Sequence, residues 1–148
     1  MSHKDSFLVS HPTGNTFVRG LLQELEKQGL LETFITSIGV GNDANSLARR
    51  LLGRRAYPVA SKQISSSWFP EILRINPWAS KSQAKRRRQA DYSYELIDKK
   101  ASRILDQHAG SILHAYEDGA AHSFGQAKKH EILCSYELPI AHWATVRK

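Results

Sequence analysis

The sequence predicts an α/β fold, a parallel sheet with helices on both faces, and three observations carry that expectation. Short apolar runs such as Phe7-Leu8-Val9 lack internal alternation and suit strands buried on both sides. Between such runs the apolar residues recur at helical spacing, as in Phe17, Val18, Leu21, Leu22 and Leu25. The two rhythms then take turns along the chain, the pattern of strands joined by crossover helices.

The first strand, Phe7 to Val9, breaks on His11-Pro12-Thr13-Gly14-Asn15. A helix restarts at about Thr16, capped by Asn15 or by Thr16 itself, with Glu24, Glu26, Lys27 and Gln28 on its polar side and Gly29 placed to end it. Thr33 to Ile38 reads as a second strand, closed by Gly39-Val40-Gly41-Asn42-Asp43. The segment from about 44 to 90 is less regular and basic. Leu47, Ala48, Leu51 and Leu52 suit a short helix exposing Arg49, Arg50, Arg54 and Arg55, while Pro58, Pro70, Pro77 and Ser65-Ser66-Ser67 argue against long elements. Tyr92, Leu96, Ile97, Ala101, Ile104 and Leu105 mark a further helix, followed by a strand from Ser111 to Tyr116. A helix from Gly119 to His130, with Ala120, Ala121, Phe124 and Ala127 on one face, leads to a fourth strand from Ile132 to Tyr136.

At 148 residues the chain is expected to form a single domain, residues 1–148, and a hydrophobic fraction of 41% is enough for a packed core. A net charge of +7 favours polyanionic partners in general without choosing among nucleic acid, anionic lipid and phosphorylated ligands. The single cysteine, Cys134, has no partner for an internal disulfide and reads as a small buried hydrophobe. No apolar run approaches bilayer length and no signal-peptide core opens the chain, so the expectation is a soluble, cytoplasmic protein. The histidines form no recognisable metal-ligand pattern, and the Gly-x-Ser-x-Gly elbow of serine hydrolases is absent from the sequence.

Ligands of open parallel sheets sit beyond the carboxyl ends of the strands, so the strand-end loops hold the candidate site. His11, Thr13, Gly14 and Asn15 form the first such loop, in which Gly14 serves either a close approach of backbone to ligand or simply a tight turn. The second, His114-Ala115-Tyr116-Glu117-Asp118-Gly119, brings an imidazole, a phenol and two carboxylates to the same edge. His114 also suits a hydrogen-bonded core position, and Glu117 and Asp118 suit the start of the following helix through its dipole. The third carries Glu137 and His142 in Tyr136-Glu137-Leu138-Pro139-Ile140-Ala141-His142-Trp143.

These three stretches, with Ala127-Lys128 on the helix between the second and third, resemble the N-terminal domain of family 4 glycosyltransferases. The resemblance covers nearly the whole chain in order and is most specific over residues 111 to 143. It implies the GT-B architecture, in which two Rossmann-like domains face each other across a cleft, the N-terminal one binding the acceptor and the C-terminal one holding a nucleotide-sugar donor. It therefore implies that this chain is an acceptor-side half, inactive until a C-terminal domain completes it, with the nucleotide sugar as donor substrate and no cofactor or metal. Gly14 and Asn15 would lie near the donor diphosphate and the transferred sugar. His114, Tyr116 and Glu117 would line the reaction centre, and His11, Thr13, Asp118, Glu137 and His142 would contribute to substrate binding. The family often shows His-x-His at this strand end, whereas here the second position is Tyr116, which leaves a phenol to bond a sugar hydroxyl.

The run Lys85-Arg86-Arg87-Arg88, with Trp68 and Trp78 upstream, is a basic surface. It suits a solvated loop, an anionic membrane surface that would place the protein peripherally at a membrane, or nucleic acid, the least favoured because the aromatics sit among prolines and are not interleaved with the charges. The alternative to a transferase is a non-catalytic basic module that binds nucleic acid or an anionic membrane.

Overall fold

The computed structural model describes residues 6–75, 82–107, 112–116 and 119–137. Five parallel strands form one sheet: β1 (Phe7–Ser10), β2 (Leu31–Thr36), β3 (Ile64–Ser66), β4 (Ile112–Tyr116) and β5 (Cys134–Glu137), in the spatial order β3-β2-β1-β4-β5. The helices are α1 (Thr16–Lys27), α2 (Ser46–Leu52), α3 (Trp68–Ile75), α4 (Gln83–Leu105) and α5 (Ala121–Lys129). This is a Rossmann-like arrangement: the chain winds outward from β1 to β3, then returns to lay β4 against the other side of β1.

The centre of the sheet is buried on both faces because successive residues of a strand point to opposite sides. Val9 and Phe34 pack with Val18, Leu22 and Leu25 of α1 and with Tyr57 and Val59. On the opposite face Leu8 and Leu113 meet Leu105 of α4 and Ala127 of α5, while Ile35 meets Ile97 and Ala101 of α4. Each fully buried leucine, valine or isoleucine contributes about 1.5–3 kcal/mol against exposure, so the helices are held mainly by this apolar packing.

The helix ends explain the boundaries. Asn15 caps α1 by accepting from Val18 N at 2.8 Å. At the other end Gly29 takes φ 65°, and the Gly29 and Leu30 amides return to Glu26 O and Leu25 O, closing a Schellman turn. Helix α5 is capped from a distance: Asp98 of α4, 2% exposed, accepts from the His122 and Ser123 amides at 2.6 and 2.9 Å. The acidic pair expected to favour this helix start, Glu117 and Asp118, lies outside the described residues.

The less legible segment contains more structure than its composition suggests. Its strand β3 is three residues long with one apolar side chain, pairing as Phe34↔Ile64 at the edge of the sheet. Pro70 falls in the first turn of α3, where a missing N–H breaks no helical bond. Helix α4 begins at Gln83, well before Tyr92, so the basic run stands on a helix and not in a loop. The buried stripe of α4 is Ser93, Ile97, Ala101 and Leu105, at i, i+4 spacing, and Tyr92 is 49% exposed.

Candidate functional site

The chain reverses direction between β1 and β4, and the ends of these two strands and of β5 bring together five of the residues singled out in the sequence: His11, Asn15, His114, Tyr116 and Glu137. Asn15 joins two of the loops, since the same side chain that caps α1 donates from Nδ2 to Glu137 Oε1 at 2.9 Å. Glu137 Oε2 faces His114 Nε2 at 3.7 Å, too long for a hydrogen bond but close enough for charge to matter. His114 Nδ1 lies 3.1 Å from Ser135 Oγ. Burial lowers the pKa of His114, more than the adjacent Glu137 carboxylate raises it, so at neutral pH the contact is between a carboxylate and a neutral ring.

His11 is the most enclosed member at 2% exposure. Its Nδ1 accepts from the Thr13 and Gly14 amides at 3.2 and 2.7 Å, which folds the turn around the ring. The Tyr116 ring lies 4.4 Å away, tilted by 49°. Burial depresses the His11 pKa from 6.5 to about 4, opposed by Glu137 and assisted by His114 and Arg55. Its Nε2 is buried without a hydrogen-bond partner. A buried N–H left unsatisfied costs roughly 1–3 kcal/mol, so this atom calls for a physical account.

The turn that carries His11 is clamped from below by residues outside the expected site, among them Arg55, expected on an exposed helix face but 17% exposed and held in an ion pair. Pro12 O accepts from Ser37 N and Ser37 Oγ, at 3.3 and 2.6 Å, and from Thr36 Oγ1 at 3.3 Å. Thr13 O accepts from Arg55 Nη1 at 2.9 Å and from Tyr57 Oη at 3.1 Å. Arg55 is ion-paired with the buried Glu71, whose Oε2 lies 3.0 Å from Ser37 Oγ and competes with Pro12 O for its single proton. Nothing in the spacing of Ser37, Arg55, Tyr57 and Glu71 announces this network, because it exists only once β2, β3 and α3 are assembled.

Gly14 has φ 61°, and a Cβ there would sit 2.4 Å from Tyr57 Cε1. Of the two sequence readings, the turn is the one whose requirement is visible: the space a side chain would take is filled by Tyr57. Beside the turn, a groove of about 520 Å³ is lined by Gly14, Asn15, Thr16, Arg19 and Arg54, and a larger one of about 700 Å³ continues along α1 past Arg49 and Tyr57. These grooves run along the start of α1, and of the five clustered residues only Asn15 lines them.

Among the expected site residues, Glu117, Asp118 and His142 lie outside the described residues. Lys85, Arg86, Arg87 and Arg88 are all exposed, on the first turns of α4. Cys134 is half-buried against the core, and burial raises its thiol pKa. Among the described residues no three His, Cys, Asp or Glu side chains converge as a metal-ligand set, and no helix is long and apolar enough to cross a membrane. No protein-family model matches this chain, and no curated protein or solved structure matches it either.

Proposed function

We propose that the chain forms the acceptor-binding wall of a retaining, metal-independent glycosyltransferase, the nucleotide-sugar donor being held by a second domain facing the carboxyl edge of this sheet. The observation that carries the reading is the meeting of His11, Asn15, His114, Tyr116 and Glu137 at the reversal point of a Rossmann-like sheet. Carboxylate, neutral imidazoles and phenol at one sheet edge are the groups that orient sugar hydroxyls, and the resemblance assigns His114, Tyr116 and Glu117 to the reaction centre, with Asp118 and His142 among the substrate-binding residues. The groove at Gly14, Asn15 and Thr16, with Arg19 and Arg54 and the positive end of α1, suits the donor diphosphate.

The chemistry asked of this wall is positioning: an acceptor hydroxyl is held against the anomeric carbon while the nucleoside diphosphate leaves. The chain joined to a donor-binding domain of a family 4 glycosyltransferase should turn over at least one member of a nucleotide-sugar panel, and Glu137→Ala should reduce that turnover by more than about tenfold. Absence of turnover across the panel, with both domains folded, would overturn the reading. The runner-up, a non-catalytic basic module, draws on the exposed basic turn of α4; it would show as tight binding of oligonucleotides or anionic vesicles without any response to nucleotide sugars.

A further inference from the structure

The packing of the molecule leaves one buried polar atom at the sheet edge without a role, His11 Nε2. Backbone N–H groups can only donate, so the two amides that reach His11 Nδ1 place the ring proton on Nε2. The turn thereby fixes the tautomer and presents a permanent N–H donor. His114 has no such constraint, because its Nδ1 faces a hydroxyl that can donate or accept. Because the ring takes up a second proton only near pH 4 and below, His11 is neutral in the physiological range and is not poised to carry a proton.

We propose that His11 Nε2–H is the hydrogen-bond donor that recognises a sugar hydroxyl in this site, uncovered when the Tyr116 ring lying against the imidazole turns aside. This rests on the glycosyl-transfer reading and names the group the site recognises. The Asn15 bond ties Glu137 to the turn that carries His11, so its charge acts on the ring, and this separates a hydroxyl from a phosphate. A hydroxyl oxygen accepts from His11 while its own proton goes to the carboxylate, so a single ligand group satisfies both. A phosphate brings a negative charge and would be repelled by the same carboxylate.

The test uses the chain labelled with 15N-histidine, observed by NMR at neutral pH, with methyl α-glucoside, methyl α-mannoside, UDP-glucose and inorganic phosphate as probes. The expected result is the Nε2–H tautomer for His11, an Hε2 signal slow to exchange with water, and a shift of that signal with a sugar-bearing probe but not with phosphate alone. Tyr116→Ala should speed the exchange. His11→Asn keeps an acceptor at the Nδ1 position and removes the donor, so it should fold but bind the same probe about tenfold more weakly; His11→Gln, which carries an N–H near the Nε2 position, should recover most of the loss. An Nδ1–H tautomer, a signal moved by phosphate alone or by no probe, or equal binding by His11→Asn would overturn the proposal. Unimpaired turnover by His11→Asn in the completed enzyme would sink this inference alone. A sugar-responsive Hε2 in a completed protein that turns over no nucleotide sugar would sink the transferase reading and leave the donor role standing.

Discussion

His11 holds the largest electrostatic lever among the single residues. Its folded pKa near 4 lies below its ordinary 6.5, so in the interval between them the unfolded chain takes up a proton that the folded chain does not. The neutral ring therefore contributes stability in full above about pH 6.5, and that contribution is lost as pH falls toward 4, by roughly 3 kcal/mol in all. His114 shifts in the same direction. Urea unfolding at about pH 7.5 and 4.5 should show a steeper loss for the wild type than for His11→Asn, and equal losses would contradict the argument. Gly14 is the second sensitive position. Gly14→Ala places a methyl group in a left-handed backbone against Tyr57, with an expected cost of at least about 1–2 kcal/mol from the backbone alone. Tyr57→Leu in the same background should recover the part due to the clash, and additivity of the two changes in thermal unfolding would show that Gly14 and Tyr57 do not meet.

Among the elements, α4 breaks a local rule. Its first turn holds no acidic residue and contains Lys85 and Arg86, with Arg87 and Arg88 in the next turn, all exposed at the end of the helix whose dipole is positive. Cations in the first turn destabilise the helix by about 0.3–1 kcal/mol each at low salt, so Lys85 and Arg86 do nothing for the helix start. Replacing Lys85, Arg86, Arg87 and Arg88 with Ser should leave thermal stability unchanged or slightly raised while weakening binding to vesicles of anionic lipid, with the wild-type interaction fading as salt rises. Flotation of both forms decides it: equal vesicle binding, or wild-type preference for oligonucleotides at matched salt, would remove the membrane role.

For the molecule as a whole, the proposed function makes the carboxyl edge of the sheet one wall of a two-walled site. Glycosyl transfer needs the anomeric carbon and the acceptor oxygen held within about 3–3.5 Å, and the leaving diphosphate stabilised from the donor side. With only one wall of the proposed cleft, water competes for its hydrogen bonds, so residues 1–148 alone should bind nucleotide sugars only in the millimolar range, about −4 kcal/mol, and should show no turnover. Calorimetry and a transferase assay on the isolated chain test this, and turnover would mean that a complete active site lies within this one domain.

The sequence by itself determined the α/β alternation, the spans of α1, β2 and α5 to within a few residues, and the strand-end turns that carry the candidate site, because apolar periodicity and cap residues are local signals. It also pointed to His11, Asn15, His114, Tyr116 and Glu137, since polar groups at predicted strand ends can be listed without knowing where the strands go. Strand β3 escaped notice because three edge residues with one apolar side chain carry no period. The first turns of α4 were hidden because their exposed basic residues carry no apolar stripe. Only the tertiary structure decided the strand order, and with it the bond from Asn15 to Glu137, 122 residues apart, and the cap that Asp98 supplies to α5. The network of Ser37, Arg55, Tyr57 and Glu71 under the His11 turn belongs to the same class. Such contacts depend on which elements become neighbours, a choice made by burying the faces of the sheet together, and no spacing within a single segment records it.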